Sequence, residues 1–185
     1  DILKEMGVVF KTNTEVGKDV SLDDLRKQGF KAFYLAIGAQ GGRKLGLENE
    51  DAKGVIAGVE FLRDVNLGKK SALHGKVVVI GGGNVAIDVA RTAVREGAES
   101  VAMYCLEARN EMPALDEEIE EALVEDIVIN NSWGPKRIIS KDGKVTGIEL
   151  KKCVSVFDKD KKFNPKYDEN ETITVDADFV LLSVG

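Results

Sequence analysis

The chain has 185 residues, 43% hydrophobic and 31% charged, enough for one full globular core and a small second one. Its 26 Lys and Arg against 32 Asp and Glu leave a formal net charge of -6, which argues against a nucleic-acid partner. No apolar stretch approaches the roughly 20 residues of a membrane span, no secretory signal pattern is present, and a cytoplasmic location is expected.

In chain order, residues 1–6 are helix-like, and residues 8–11 follow Gly7 as a short strand candidate. Ser21 and Asp24 have capping-box spacing and start a short helix that Gly29 ends. Phe33, Tyr34, Leu35 and Ile37 predict a buried strand running into the glycine-rich stretch 38–42. Residues 43–55 are charged and irregular, with a brief strand at 54–56. Val59, Phe61, Leu62 and Val65 have helical spacing, and residues 69–75 read as a linker whose single histidine, His74, belongs on the surface.

Next come a strand at 76–80, a helix at 84–97 with Arg91 and Arg95 as surface groups, and a strand at 100–106. A helix at 115–124 turns Glu117, Glu118, Glu120 and Glu121 to water and Leu115, Ile119, Ala122 and Leu123 inward, and a strand follows at 127–131. Strands at 137–140 and 145–156 flank a hairpin turn at 141–144. The charged stretch 158–170, carrying Pro165, reads as a solvated loop. Residues 172–175 return as a strand, and 178–185 close the chain as a buried strand ending in glycine. The alternation predicts an α/β fold, a Rossmann-like parallel sheet with an antiparallel β-meander in three layers.

Gly81, Gly82, Gly83, Asn84, Val85 and Ala86 sit between the apolar strand 76–80 and the helix that follows. Strand, glycine turn and helix give the Gly-x-Gly-x-x-Ala pattern a physical meaning. The turn brings backbone N–H groups against a pyrophosphate at the positive end of the helix dipole, and the small Ala86 allows close helix–strand packing. Glu107 ends the second strand, about 20 residues beyond Ala86, where a carboxylate accepts ribose hydroxyls and repels a 2′-phosphate. That favours NAD(H) over NADP(H), while Arg109 offers a cation for a 2′-phosphate. The two cysteines, Cys105 and Cys153, fit neither a zinc pattern nor a Cys-x-x-Cys redox pair and read as buried, idle thiols. No tyrosine is followed by lysine at the short-chain-dehydrogenase offset, no Ser-His-Asp set forms around one histidine, and no metal cluster is suggested. No catalytic side chain is expected, because hydride transfer between nicotinamide and flavin needs positioning more than acid or base.

The run from Val78 through Arg91 resembles the pyridine-nucleotide domain of the glutamate synthase small (beta) subunit family of FAD-dependent oxidoreductases. Glu111, Met112, Pro113 and Ala114 before an acidic helix, and Gly58 through Leu62 upstream, resemble it too. Residues 36–39 and 182–185 resemble the two strand–glycine crossings between FAD and NAD(P) domains. The resemblance implies a larger flavoenzyme in which NAD(P)H delivers hydride to FAD and electrons pass to a redox partner subunit or iron–sulfur centre. It implies an edge of a split FAD domain and linker helix at 1–75, an NAD(P)-binding domain at 76–176 and a return crossing at 177–185, with Gly185 letting the backbone approach nicotinamide or flavin. A chain that begins at Asp1 and stops at Gly185 is expected to be a piece of such a protein, inactive alone. Where NADPH-using members often carry Tyr-Arg-Arg, this chain has Tyr104, Cys105 and Leu106, then Glu107, which points away from NADPH. Two other classes remain open at the level of sequence: a non-catalytic NAD-binding or redox-sensing module, and a stand-alone dehydrogenase.

Overall fold

The computed structural model describes residues 2–39 and 41–184, in two compact units, 1–38 and 39–185. The first unit holds helices α1 (Ile2–Glu5) and α2 (Leu22–Lys27) and a single bridge between Val16 and Val20. The Ser21 hydroxyl accepts from Asp24 N–H (3.0 Å) and the Asp24 carboxylate accepts from Ser21 N–H (3.2 Å), the expected capping box. Residues 8–11 and 33–37 form no strand. Tyr34 and Leu35 are 94 and 76% exposed, because an apolar strand sequence pairs only where a neighbour offers its ladder, and the described residues of this unit form no sheet.

The second unit carries a five-stranded parallel sheet in the order β1-β8-β2-β3-β4. Its strands are β1 (Val55–Ala57), β2 (Lys76–Ile80), β3 (Ser100–Cys105), β4 (Val128–Asn131) and β8 (Phe179–Leu182), with α3 (Gly58–Asn66), α4 (Asn84–Arg95) and α5 (Asp116–Val124) between them. A three-stranded antiparallel sheet is formed by β5 (Trp133–Lys141), β6 (Lys144–Phe157) and β7 (Phe163–Asp176). Both faces of the parallel sheet are covered, as its apolar strands require. Val77, Val79, Val101, Met103 and Leu181 pack with Ile87, Ala90 and Ile119 of the helical layer. The alternate residues Val78, Ile80, Tyr104, Val180 and Leu182 pack with Ile138, Ile148 and Leu150 of the antiparallel layer. This is the expected three-layer α/β architecture. The compact boundary falls at 38/39, and β1 and α3 belong with the sheet, since Val55, Ile56 and Ala57 pair with Val180, Leu181 and Leu182.

The β5–β6 turn is the predicted hairpin: Lys141 pairs with Lys144 across Asp142 (φ 52°) and Gly143 (φ 75°), the conformations of a two-residue type I′ loop. Most of the stretch expected as a solvated loop at 158–170 is instead the first half of β7, where Phe163, Lys166, Tyr167 and Asp168 pair with Phe157, Ser155, Cys153 and Lys152. As an edge strand it has no fully buried residue and passes Pro165 within a register shift, so its polar sequence lacks the alternation that marks a half-buried strand.

Candidate functional site

Strand order reverses between β2 and β8, and ligands of open α/β sheets lie beyond the carboxyl ends of the strands at such a point. The glycine turn leaves β2 there, and its three glycines answer different demands. Gly81 (φ 147°) donates its N–H to Tyr104 O (3.0 Å), and a Cβ on it would lie 2.3 Å from Ser183 O. A Cβ on Gly82 would lie 2.7 Å from Glu107 Oε2 and 2.9 Å from Cys105 Cβ. Both are held to glycine by packing against β8 and β3. Gly83 is not: its φ of -94° suits any residue, and a Cβ there would meet only Pro113 Cγ, at 3.9 Å.

Gly83 is the N-cap of α4, with no side-chain cap and no acid in the helix's first turn. Among the described residues, the N–H groups of Gly83, Asn84 and Val85 have no partner; the first used is that of Ala86, which donates to Gly83 O (2.9 Å). Val85 is 45% exposed beside them, and Ala86 is buried under the turn. Bare N–H groups, a positive helix end and a vacant Cβ position together form a cradle for an anion such as a pyrophosphate. The segment 111–115 walls this cradle: Ala114 N–H donates to Gly82 O (3.3 Å) and Leu115 N–H to Asn84 Oδ1 (2.9 Å).

Glu107 follows β3, its carboxylate against Gly82. Its carbonyl accepts from Ser132 N–H (3.0 Å) and Asn131 Nδ2 (3.1 Å), which ties the exit of β3 to the start of β5. Arg109 opens a 3₁₀ turn, Arg109–Glu111, exposed and paired with Asp116 at 3.2 Å. The structure thus brings Gly81, Gly82, Gly83, Asn84, Val85 and Glu107 to one end of the sheet, with Arg109 on the adjoining turn; Gly185 lies outside the described residues. Cys105 and Cys153 are buried and free. Burial, with the charge of Glu107 adding to it, pushes the Cys105 thiol up to about 12, so it stays protonated. Sequence reasoning missed Ser183 and the clasp from Ala114 and Leu115, which depend on contacts between distant elements. No cluster of metal-ligating side chains occurs among the described residues, and no described helix is long and apolar enough to cross a membrane.

The profile of the pyridine nucleotide-disulphide oxidoreductase family matches residues 1–185. The chain is 36% identical, over its whole length, to the NADPH-Fe(3+) oxidoreductase subunit beta of Geobacter sulfurreducens, of which it spans 28%. Over 81% of its length it is 37% identical to the glutamate synthase [NADPH] small chain of Escherichia coli, spanning 34% of that protein. The resemblance to that family is therefore borne out. The structure of Mycobacterium tuberculosis FprA in complex with NADPH superposes on 94% of the chain and 54% of FprA, with a TM-score of 0.77 at 22% identity, a likeness of fold. The names of the two sequence relatives carry NADPH, against the expected preference for NAD(H).

Proposed function

The chain belongs to the pyridine nucleotide-disulphide oxidoreductase family, and on that premise we propose that residues 39–185 bind the nicotinamide dinucleotide of a longer flavin-dependent oxidoreductase. The observation that carries this reading is Gly83, a glycine that neither its φ nor any close neighbour requires, at a bare helix end. The pyrophosphate lies on the N–H groups of Gly83, Asn84 and Val85, and the adenosine ribose lies toward Glu107. The relatives' names favour NADP(H), and two features make room for its 2′-phosphate. The Glu107 carboxylate is folded against Gly82, and the ion pair of Arg109 is exposed and weak, leaving the guanidinium available for the phosphate. The chain's part in the reaction is to bind and orient the dinucleotide.

A flavin carried by the rest of the longer protein accepts the hydride and hands electrons to a partner subunit or iron–sulfur centre. The described residues offer one glycine turn opening a helix, which fits one dinucleotide and leaves the flavin to another part of that protein. Residues 1–38 are then an edge of the flavin domain, where the exposed apolar stretch 33–36 would be covered. The test is calorimetric titration of the chain with NADPH and NADH. Micromolar binding with NADPH the tighter is expected, and Gly83→Val should abolish it while the chain still folds, since a Cβ there meets only Pro113 Cγ at 3.9 Å. Unchanged affinity in Gly83→Val would reduce the turn to a structural element.

A further inference from the structure

Ser183 Oγ is the one buried side-chain oxygen or nitrogen without a hydrogen-bond partner among the described residues. Ser183 immediately follows β8, and its backbone is clamped to the glycine turn. Its N–H donates to Ile80 O (2.8 Å), and its carbonyl abuts Gly81. The side chain sits in the crevice between α3 and α4, where a Cβ on Gly58 would lie 2.3 Å from Ser183 Oγ and 2.9 Å from Val89 Cγ2. An unpaired buried hydroxyl is unfavourable, and alanine would fill this place without that penalty. The hydroxyl therefore needs a use in another state of the site. Ser183 as a whole is only part-buried, so a change of χ1 rotamer swings Oγ out of the crevice while the clamped backbone stays in place.

The order of the strands says what it would meet. Glu107 at β3 takes the adenosine side and the α4 end takes the pyrophosphate, so the remaining half of the dinucleotide crosses the switch point toward β8. We infer that Ser183 is a positioning residue whose hydroxyl turns from the α3–α4 crevice to hydrogen-bond the nicotinamide-riboside half of the bound dinucleotide. The inference rests on the dinucleotide reading above.

The test is calorimetry on the full chain, wild type and Ser183→Ala, comparing each dinucleotide with its nicotinamide-free counterpart: NADP(+) with 2′-phospho-ADP-ribose, and NAD(+) with ADP-ribose. Ser183→Ala should weaken the intact dinucleotide about five- to tenfold, the loss of one hydrogen bond, and leave the nicotinamide-free ligand unchanged. Equal losses for both ligands, or none for either, overturn the role of Ser183. Absence of wild-type binding to all four ligands overturns the dinucleotide site, and the role of Ser183 with it.

Discussion

Three consecutive glycines at 81–83 would look interchangeable in a motif, yet their surroundings separate them. Gly81→Ala drives a methyl group into Ser183 O in a left-handed conformation and should cost about 2 kcal/mol of stability, read from the urea midpoint. Gly83→Ala has open space around its Cβ and should unfold at the wild-type midpoint while losing nucleotide affinity. A stability loss at Gly83 equal to that at Gly81 would contradict the division. The same end of β3 gives a second prediction. With its thiol pushed up to about 12 by burial, Cys105 should resist iodoacetamide in the native protein near pH 8 and label fully in urea, as mass spectrometry would show. The Gly-x-Gly-x-x-Ala spacing made the glycine turn at the start of α4 legible in the sequence. The same spacing singles out Gly83 as the glycine a pyrophosphate would approach; what holds Gly81 and Gly82 to glycine was not legible, because it depends on what β3 and β8 place beside each Cβ.

Between elements, α4 and α5 are joined by a charged clamp. Arg91 pairs with Glu121 and, through Nε, with Glu125 (2.8 Å), and Arg95 reaches Glu125 at 2.6 Å. Arg91 was expected on the surface, but its side chain is only 19% exposed, since its stem lies along the helix–helix seam. Burial alone would raise the Glu125 carboxyl; the hydrogen bonds from Arg91 and Arg95 outweigh it and hold the group below its ordinary 4.5. A carboxyl depressed by folding adds stability above its unfolded value, and that stability is lost as pH falls through the lower folded value. Arg91→Ala should therefore cost about 1 kcal/mol at pH 7, and the gap to wild type should narrow well below pH 4.5. Urea unfolding at neutral and acid pH checks this, and an undiminished gap in acid would mean the arginine acts through packing alone. At this scale, elements with a strong apolar period were read correctly: β2 from its valines, and α4 from Ala86, Ile87, Val89, Ala90 and Ala93 on one face. β7 was not, because an edge strand needs no apolar face, only the free ladder of β6. Residues 33–36 show the reverse case, an apolar strand sequence in a unit whose described residues form no sheet.

Across the whole molecule, burial is divided unevenly between the two units. Residues 39–185 hold both apolar clusters, on the two faces of the parallel sheet. From residue 2 to 38 every residue is exposed except Val20 and Leu25, which are half-buried. Ile2, Met6, Val9, Tyr34, Leu35 and Ile37 are 74 to 94% exposed. Folding is driven by apolar area removed from water against about 1–2 kcal/mol of backbone entropy per ordered residue, and a segment that buries so little has little to offset that cost. Helix-surface ion pairs, such as Arg26 with Asp23 at 2.6 Å, add little when exposed. Limited trypsin digestion should therefore cut first within residues 1–38 and leave a resistant product beginning near residue 39. That product, expressed alone, should melt within about 2 °C of the intact chain, because the apolar clusters that set its stability are complete without the first unit. It should also bind nucleotide as tightly, since the Gly83 cradle, the segment 111–115 and Ser183 all lie within it. A melting temperature several degrees lower would show that residues 1–38 contribute to the core after all. Retained stability with lost binding would place part of the nucleotide site on that first unit.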